Sequence, residues 1–387
     1  MADHRKAAIV GIGQTEISKA SGRSELQLAA EAVKAALDDA GLAPSDVDGM
    51  ITFTLDGSDE VGLIRCLGVP DLKYTSRLPH GGGASVATLA HAMAAVESGV
   101  CDTVVIWRAM NERSQYRFGQ PQARAAIPSG GGSTFMEWCL PFGAQSPACW
   151  ESLIAQAYMS KYDVTNADFG LVSVVLRKHA ATNPRAWFYE KPITIEDHQA
   201  SRWIVAPTLR LLDCCQESDG GVALVVSSLD RARDLKQAPV RIEGAVTSLP
   251  FNHEIISDYY AEHDLSRLPI AERVRERLIA ACGIAPKDTQ VAMIYDNFTP
   301  QIFLQLEAFG FCGPGEARDY IKDGHVELDG KSPLSPNGGH IGEGYIHGMN
   351  LITEGVRQAR GTAANQVKNV DRVFLASGVA GAVIGKV

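Results

Sequence analysis

Apolar positions in this chain come as short unbroken runs, not as strict alternation. The runs at 7–11, 50–53, 103–107, 291–294 and 372–376 each have the length of a strand. A strand written this way is covered by helices on both faces, as in a largely parallel sheet. Between the runs, apolar residues recur at helical spacing, and helices are predicted over 85–99, 150–162, 166–183 and 345–361. The chain therefore reads as α/β.

The pattern occurs twice. Ala36-Leu-Asp-Asp-Ala-Gly-Leu-Ala-Pro-Ser-Asp46 returns as Leu278-Ile-Ala-Ala-Cys-Gly-Ile-Ala-Pro-Lys-Asp288, and each copy leads into an apolar strand. A glycine after the last helical turn, with proline soon beyond it, is the expected helix stop. A glycine-rich loop, a helix, a short link and a buried strand then follow in each half, at 80–107 and at 337–376. Two copies are too few for a solenoid and fit two similar βαβ-rich halves stacked face to face. The expected division is 1–240 and 241–387, with an insertion at about 109–219 inside the first half. That insertion carries the loop Pro128-Ser-Gly-Gly-Gly-Ser133 and an aromatic stretch through Trp187, Phe188, Tyr189 and Trp203. A second aromatic loop at 251–263 holds Tyr259 and Tyr260 and is expected to form a lid or substrate wall.

Composition narrows the function classes. At 387 residues the chain exceeds one typical core. A formal charge of -9 argues against a nucleic-acid partner, because phosphates need a basic footprint. No basic run lies beside an amphipathic helix, and no stretch is long enough to span a bilayer or to act as a secretory leader, so no membrane partner is expected and the compartment is expected to be cytoplasmic. The cysteines at 66, 101, 139, 149, 214, 215, 282 and 312 show no Cys-x-x-Cys and no histidine at ligand spacing, so no metal site is expected. Adjacent Cys214 and Cys215 cannot form a strain-free disulfide, and the thiols read as small buried hydrophobes.

Four loops carry the candidate chemistry. They are His80-Gly-Gly-Gly-Ala-Ser85, Tyr295-Asp-Asn-Phe298, Asn337-Gly-Gly-His-Ile-Gly-Glu-Gly-Tyr-Ile-His-Gly348 and Ala376-Ser-Gly-Val-Ala-Gly381. Their order and glycine framing resemble the active-site loops of the thiolase superfamily, and the resemblance runs from Ala7 to the C-terminus. It implies a thiolase fold, with two duplicated βαβαβ-type halves and a large loop and helix insertion in the first. Counting back from Gly99 places Gly82 where that family has its nucleophilic cysteine. Phe298 sets the alignment that puts Tyr295 at the family's water-orienting asparagine or histidine. Tyr345 stands at the histidine of the family's Gly-His-Pro-x-Gly, and Ser377 or Gly378 at its second cysteine.

Claisen chemistry by the family's route needs one thiolate to take the acyl group and another to move a proton. The replacements exclude it. Two phenols in a thioester site fit a retro-aldol cleavage, which needs a base for a β-hydroxyl proton and stabilisation of the departing enolate, with no acyl-enzyme. Tyrosine is a poor base at its ordinary pKa of about 10, so its neighbours must assist. Gly11-Ile-Gly-Gln-Thr-Glu16, Ser21-Gly-Arg-Ser-Glu-Leu26, Arg117-Phe-Gly-Gln120, Leu212-Asp-Cys-Cys-Gln-Glu217, Tyr295-Asp-Asn-Phe-Thr-Pro300 and Glu343-Gly-Tyr-Ile-His-Gly-Met-Asn350 resemble the bacterial steroid side-chain-cleaving aldolases. That resemblance implies cleavage of a 17-hydroxy-steroid-20-carboxyl-CoA to a 17-ketosteroid and propionyl-CoA. It also implies an OB-fold/zinc-ribbon acyl-CoA-binding partner, around an aldolase homodimer within a heterotetramer. Tyr345 and Tyr295 are then the catalytic pair, one as base and the other orienting substrate or returning a proton, in either order. Backbone amides near Gly82 hold the thioester oxygen, His347 and Gly378 line the substrate site, and no cofactor is implied beyond the CoA of the substrate.

Other readings stand beside these. A non-catalytic acyl-CoA or sterol carrier needs no cysteine either, a shorter side chain would release acetyl-CoA, and a residual thiolase would draw on Cys312 or Cys139. Gly11-x-Gly13 lacks the third glycine of a dinucleotide fingerprint, which falls at Glu16, and reads as a tight turn. His347 and Tyr345 could be packing residues, Asp296 is expected to hold a turn through its own backbone, and the Cys214–Cys215 segment is expected to be structural.

Overall fold

Strand formation follows the apolar runs closely. The computed structural model describes residues 6–79, 81–115, 117, 119, 139–249 and 264–387. His80, the 128–133 loop, Phe118 and Gln120, and the aromatic segment with Tyr259 and Tyr260 lie outside the described residues. The strands are β1 (Ala7–Gln14), β2 (Gly49–Phe53), β3 (Tyr74–Leu78), β4 (Thr103–Asn111), β5 (Trp203–Val205), β6 (Leu209–Arg210), β7 (Asp219–Ser228), β8 (Val240–Thr247), β9 (Val291–Ile294), β10 (Arg372–Ser377) and β11 (Ala380–Lys386). β5 and β6 pair with each other, and the other nine form one sheet in the order β3-β2-β4-β7-β1-β8-β11-β10-β9.

That order displays the duplication. Ranked by chain order within its half, the first run is 3-2-4-5-1 from its outer edge. From the opposite edge, β9, β10, β11 and β8 repeat ranks 2-4-5-1, and Leu334 makes a parallel bridge to Ala292 of β9 where rank 3 belongs. The directions agree as well: β2 is parallel to β3 and β4, as β9 is to the Leu334 bridge and to β10, and the remaining ladders within each half are antiparallel. The repeated helix stops are superimposable in kind. Gly41 and Gly283 cap their helices with φ of 74° and 72°, and each is followed by a single 3-10 turn, Pro44–Asp46 or Pro286–Asp288. Only a residue without Cβ takes that left-handed conformation at little cost.

Helices Ala87–Glu97 and Met349–Arg360 lie between the halves, each packed on strands of both. The halves thus face each other across this helix pair, and are also joined at one edge where Ala8 and Ile9 of β1 pair with Arg241 and Val240 of β8. Helix Glu25–Ala40 covers the outer face of the first half. Ser24 caps it by accepting from the Gln27 amide at 3.1 Å, and Leu28, Ala32, Val33 and Ala36 turn inward onto β1, β4 and β7. Here the structure corrects the tight turn expected at Gly11-x-Gly13. Both glycines lie within β1, and a Cβ on either would run into the backbone of Ala36 or Ala32. They are the surface on which a helix approaches a strand closely.

Insertion helices Pro147–Tyr162 and Asn166–Ala181 cover the second half instead. Tyr158 and Phe169 meet Phe303 edge-on, with ring centroids 5.9 and 5.0 Å away. One boundary differs from expectation in a way that matters. The helix predicted from 345 begins at Met349, because His347 and Gly348 have φ of 46° and 82° and break the helical path. Tyr345 and His347 therefore sit on a loop.

Candidate active site

Both tyrosines are fixed through their backbones before their rings are considered. Tyr295 follows β9 directly; its N–H donates to the Ala376 carbonyl at 3.0 Å, and its own carbonyl accepts from Gln305 Nε2 at 2.8 Å. The Tyr345 N–H donates to Ser218 Oγ at 3.2 Å. The segment 214–217 ties the two loops together. The Cys215 N–H donates to Asn297 O at 2.9 Å, the Gln216 N–H donates to His340 O at 3.1 Å, and Glu217 bridges to Tyr345.

The two phenol oxygens are 2.6 Å apart, in a hydrogen bond. His340 meets the Tyr295 ring at 4.8 Å and the Tyr345 ring at 5.2 Å, both nearly edge-on, and His347 lies 5.2 Å from Tyr345. Asp296 does not hold its own turn as expected. Its carboxylate accepts from the His340 and Ile341 amides at 2.9 and 3.1 Å and lies 3.0 Å from His340 Nδ1. Gly339 makes this possible, since a Cβ there would collide with that carboxylate.

The rings open onto a cleft of about 650 Å³. All five residues proposed from the sequence, Gly82, Tyr295, Tyr345, His347 and Gly378, are on its wall. Gly82 is the informative one: a Cβ built there would fall on the Tyr295 hydroxyl. At the fourth loop, Ser377 is fully buried and its Oγ accepts from the Val86 amide at 3.1 Å, while Gly378 faces the cleft. Val379 N–H donates to Gly83 O at 3.2 Å and locks this loop to the first. Further out, the wall is both apolar, with Ile154, Ile204, Leu265, Leu268 and Ile270, and cationic, with Lys19, Arg113, Arg117, Arg202 and Arg267.

Burial dominates the electrostatics. It drives both phenols well above their ordinary range; the next cause is the Cys215 thiol for Tyr295, and Tyr295 itself for Tyr345. Neither ring is a standing phenolate. On the cleft wall, burial and then Glu217 hold the Glu112 carboxyl far above the usual carboxylate range. Lys19 is brought down to about 8 by burial and then by Arg113. The cleft thiols Cys214 and Cys215 are both pushed up by burial, Cys215 next by Glu112. Cys312, pushed up to about 12 by burial and then Glu307, is not on the cleft wall, and neither is Cys139. A thiolate route has no support in this arrangement.

Sequence reading missed Glu112, the buried pair Asp56–Arg108 and the Asp296–His340 contact. Arg108 and Glu112 flank the end of the apolar run at 103–107, and charged residues closing a strand were the available signal.

Residues 256–386 match the thiolase C-terminal domain-like family. A steroid side-chain-cleaving aldolase of Thermomonospora curvata is 52% identical over 372 residues, spanning 96% of this chain and 95% of that protein. A 17-hydroxy-3-oxo-4-pregnene-20-carboxyl-CoA lyase of Mycobacterium tuberculosis is 53% identical over 374 residues, spanning 96% of each chain. The solved structure of an Ltp2-ChsH2(DUF35) aldolase matches with a TM-score of 0.93 at 49% identity, over 100% of this chain and 99% of that one.

Proposed function

This chain belongs to the thiolase superfamily, among its steroid side-chain-cleaving aldolases, and from that premise we propose that Tyr345 and Tyr295 relay a proton during retro-aldol cleavage of a β-hydroxyacyl-CoA steroid. The enzyme is a carbon–carbon lyase. Its substrate is a 17-hydroxy-steroid-20-carboxyl-CoA, and the products are the 17-ketosteroid and propionyl-CoA.

The observation that carries this is the 2.6 Å contact between the two phenols beside a glycine that leaves no nucleophile. Atoms balance without an ionised enzyme group. As Tyr345 takes the hydroxyl proton, the O–H electron pair becomes the ketone π bond. The breaking carbon–carbon pair moves onto the thioester as an enolate. Tyr345 passes its own proton to Tyr295, and Tyr295 gives one to the enolate carbon. Such a relay suits phenols whose ionisation is opposed by burial, because neither becomes a free phenolate. In this scheme the thioester oxygen is assigned to the amides of Gly82 and Gly83, because those of Ala84, Ser85 and Val86 are committed to Gly81 O, Gly82 O and Ser377 Oγ. Apolar wall residues suit a sterol ring system, and the five cations suit the phosphates of CoA in a chain of charge -9.

The enzyme works with a partner protein, in keeping with the complex it resembles. We infer that this partner is an OB-fold/zinc-ribbon acyl-CoA-binding protein, that the pair assembles as a heterotetramer around an aldolase homodimer, and that it acts in the cytoplasm. Among the described residues no helix is long and apolar enough to cross a membrane. The deciding variant is Tyr345→Phe, assayed with the partner present. Ketone release should fall at least about 1000-fold while the melting curve stays unchanged; near-normal turnover removes the relay.

A further inference from the structure

His347 lies in the loop where thiolase-like chemistry would seek a base, and its surroundings forbid that role. Its Nδ1 accepts a hydrogen bond from Arg108 Nε at 3.0 Å. A guanidinium donates and never accepts, so Nδ1 carries no proton and the ring hydrogen is on Nε2. Arg108 is itself held. Its Nη1 lies 2.9 Å from Asp56 Oδ2 and donates to Ala109 O at 3.1 Å, and both side chains of the ion pair are buried. Asp56 in turn accepts from the Ser58 amide at 2.8 Å, the Ser58 hydroxyl at 2.6 Å and the Ala109 amide at 3.0 Å. Ser58 Oγ accepts from Trp107 Nε1 at 2.9 Å, which closes the network inside the first half.

The ring is delivered to the cleft by strain. His347 has a φ of 46°, a conformation a residue with a Cβ adopts at a cost, and it lies on the cleft wall with Gly81, Gly82 and Gly83. A Cβ on Gly81 would be 3.5 Å from His347 Cε1 and 3.7 Å from Nε2, so the Nε2 edge is turned toward that glycine loop. Among the described residues, the titratable and charged groups that face the ring include Arg108 from β4 and His340 and Tyr345 from its own loop. Burial, then Arg108, then His340 oppose its protonation and hold it well below the ordinary histidine range.

We infer that the buried chain Asp56–Arg108–His347 locks His347 as a neutral Nε2–H donor to the thioester oxygen, where negative charge gathers as the carbon–carbon bond breaks. His347 moves no proton in this scheme. It touches substrate and is a catalytic residue, whereas Asp56 and Arg108 are positioning residues. The inference rests on the retro-aldol reading, because it names the enolate oxygen as the ligand.

The tests use the complex with its partner. His347→Leu removes the acceptor of the buried Arg108 Nε and should lower the melting temperature, yet leave a folded chain with KM nearly unchanged and kcat about 100-fold lower, the loss typical of a single oxyanion donor. His347→Gln can place an amide N–H near the Nε2 position and should recover at least about tenfold of that loss. A leucine variant as fast as the wild type, or a glutamine variant as slow as leucine, overturns the inference. The ¹⁵N shifts of the ring, assigned by their loss in His347→Gln, give an answer without turnover. They should report the neutral Nε2–H tautomer from about pH 6 to pH 8.5. In the double variant Asp56→Asn with Arg108→Met that signal should shift toward a tautomer mixture, with kcat falling more than KM changes. An imidazolium or Nδ1–H form in the wild type overturns the inference even if cleavage proceeds. Absence of ketone release by the wild-type complex sinks the reaction reading instead, and the tautomer result still judges the lock.

Discussion

The glycine loop at 81–85 and the loop at 337–348 occupy equivalent places in the two halves, yet they contribute opposite things. The first brings space and backbone: Gly82 has no side chain, and the volume where one would stand holds the Tyr295 hydroxyl. The second brings side chains, Tyr345 and His347, on a stretch kept out of the following helix by left-handed residues. The difference teaches that losing a nucleophile and gaining a phenol pair are one steric event. A side chain at 82 and a hydrogen-bonded Tyr295 cannot coexist.

Gly82→Ala breaks that relation most directly. Its Cβ displaces the Tyr295 ring, and kcat for ketone release should fall at least about 100-fold with the chain still folded. Gly82→Cys should do the same and gain no acyl transfer; an alanine variant at full rate would separate the two loops. Next comes Asp296→Ala, which strips the second loop of its support. The His340 and Ile341 amides are left buried and unpaired, and unfolding by urea should show a loss of about 3 kcal/mol.

The insertion sharpens the comparison, because its helix Pro147–Tyr162 docks on the second half through Glu151, bonded to Gln301 Nε2 at 2.9 Å. Burial raises this carboxyl from 4.5 to about 7. A group raised in the fold lends stability fully below its unfolded pKa and loses it as pH climbs through its folded value. Glu151 should therefore contribute a loss on the order of 2 kcal/mol between about pH 4.5 and pH 7, and Glu151→Gln should lack that part of the wild-type slope in melts run across the same range. The smallest effect belongs to Gly378→Ala. Its Cβ would be 3.6 Å from Gly83, an ordinary contact, and its φ of 48° should cost about 1 kcal/mol in a thermal melt with little change in rate. A loss in rate matching Gly82→Ala would mean the cleft tolerates no methyl anywhere.

Much of the fold was legible. Covered strands are written as apolar runs, and the duplicated Gly-x-Ala-Pro stop reappears in three dimensions with the same left-handed cap and the same 3-10 turn. The start of Met349–Arg360 was read too early because a histidine at positive φ leaves no compositional trace. Gly11 and Gly13 were misread for a related reason: close packing of a helix and a turn both ask for glycine.

By itself the sequence determined which atoms the cleft can offer, since a chain with Gly82, Tyr295 and Tyr345 has phenols and no thiol at those three positions. Tertiary structure alone decided what those atoms do. Residues 82 and 295 compete for one volume, and Arg108 chooses which nitrogen of His347 keeps its proton. Such relations depend on distances of about 3 Å between groups far apart along the chain, and a hydrogen bond is a property of separation and angle that no linear spacing encodes.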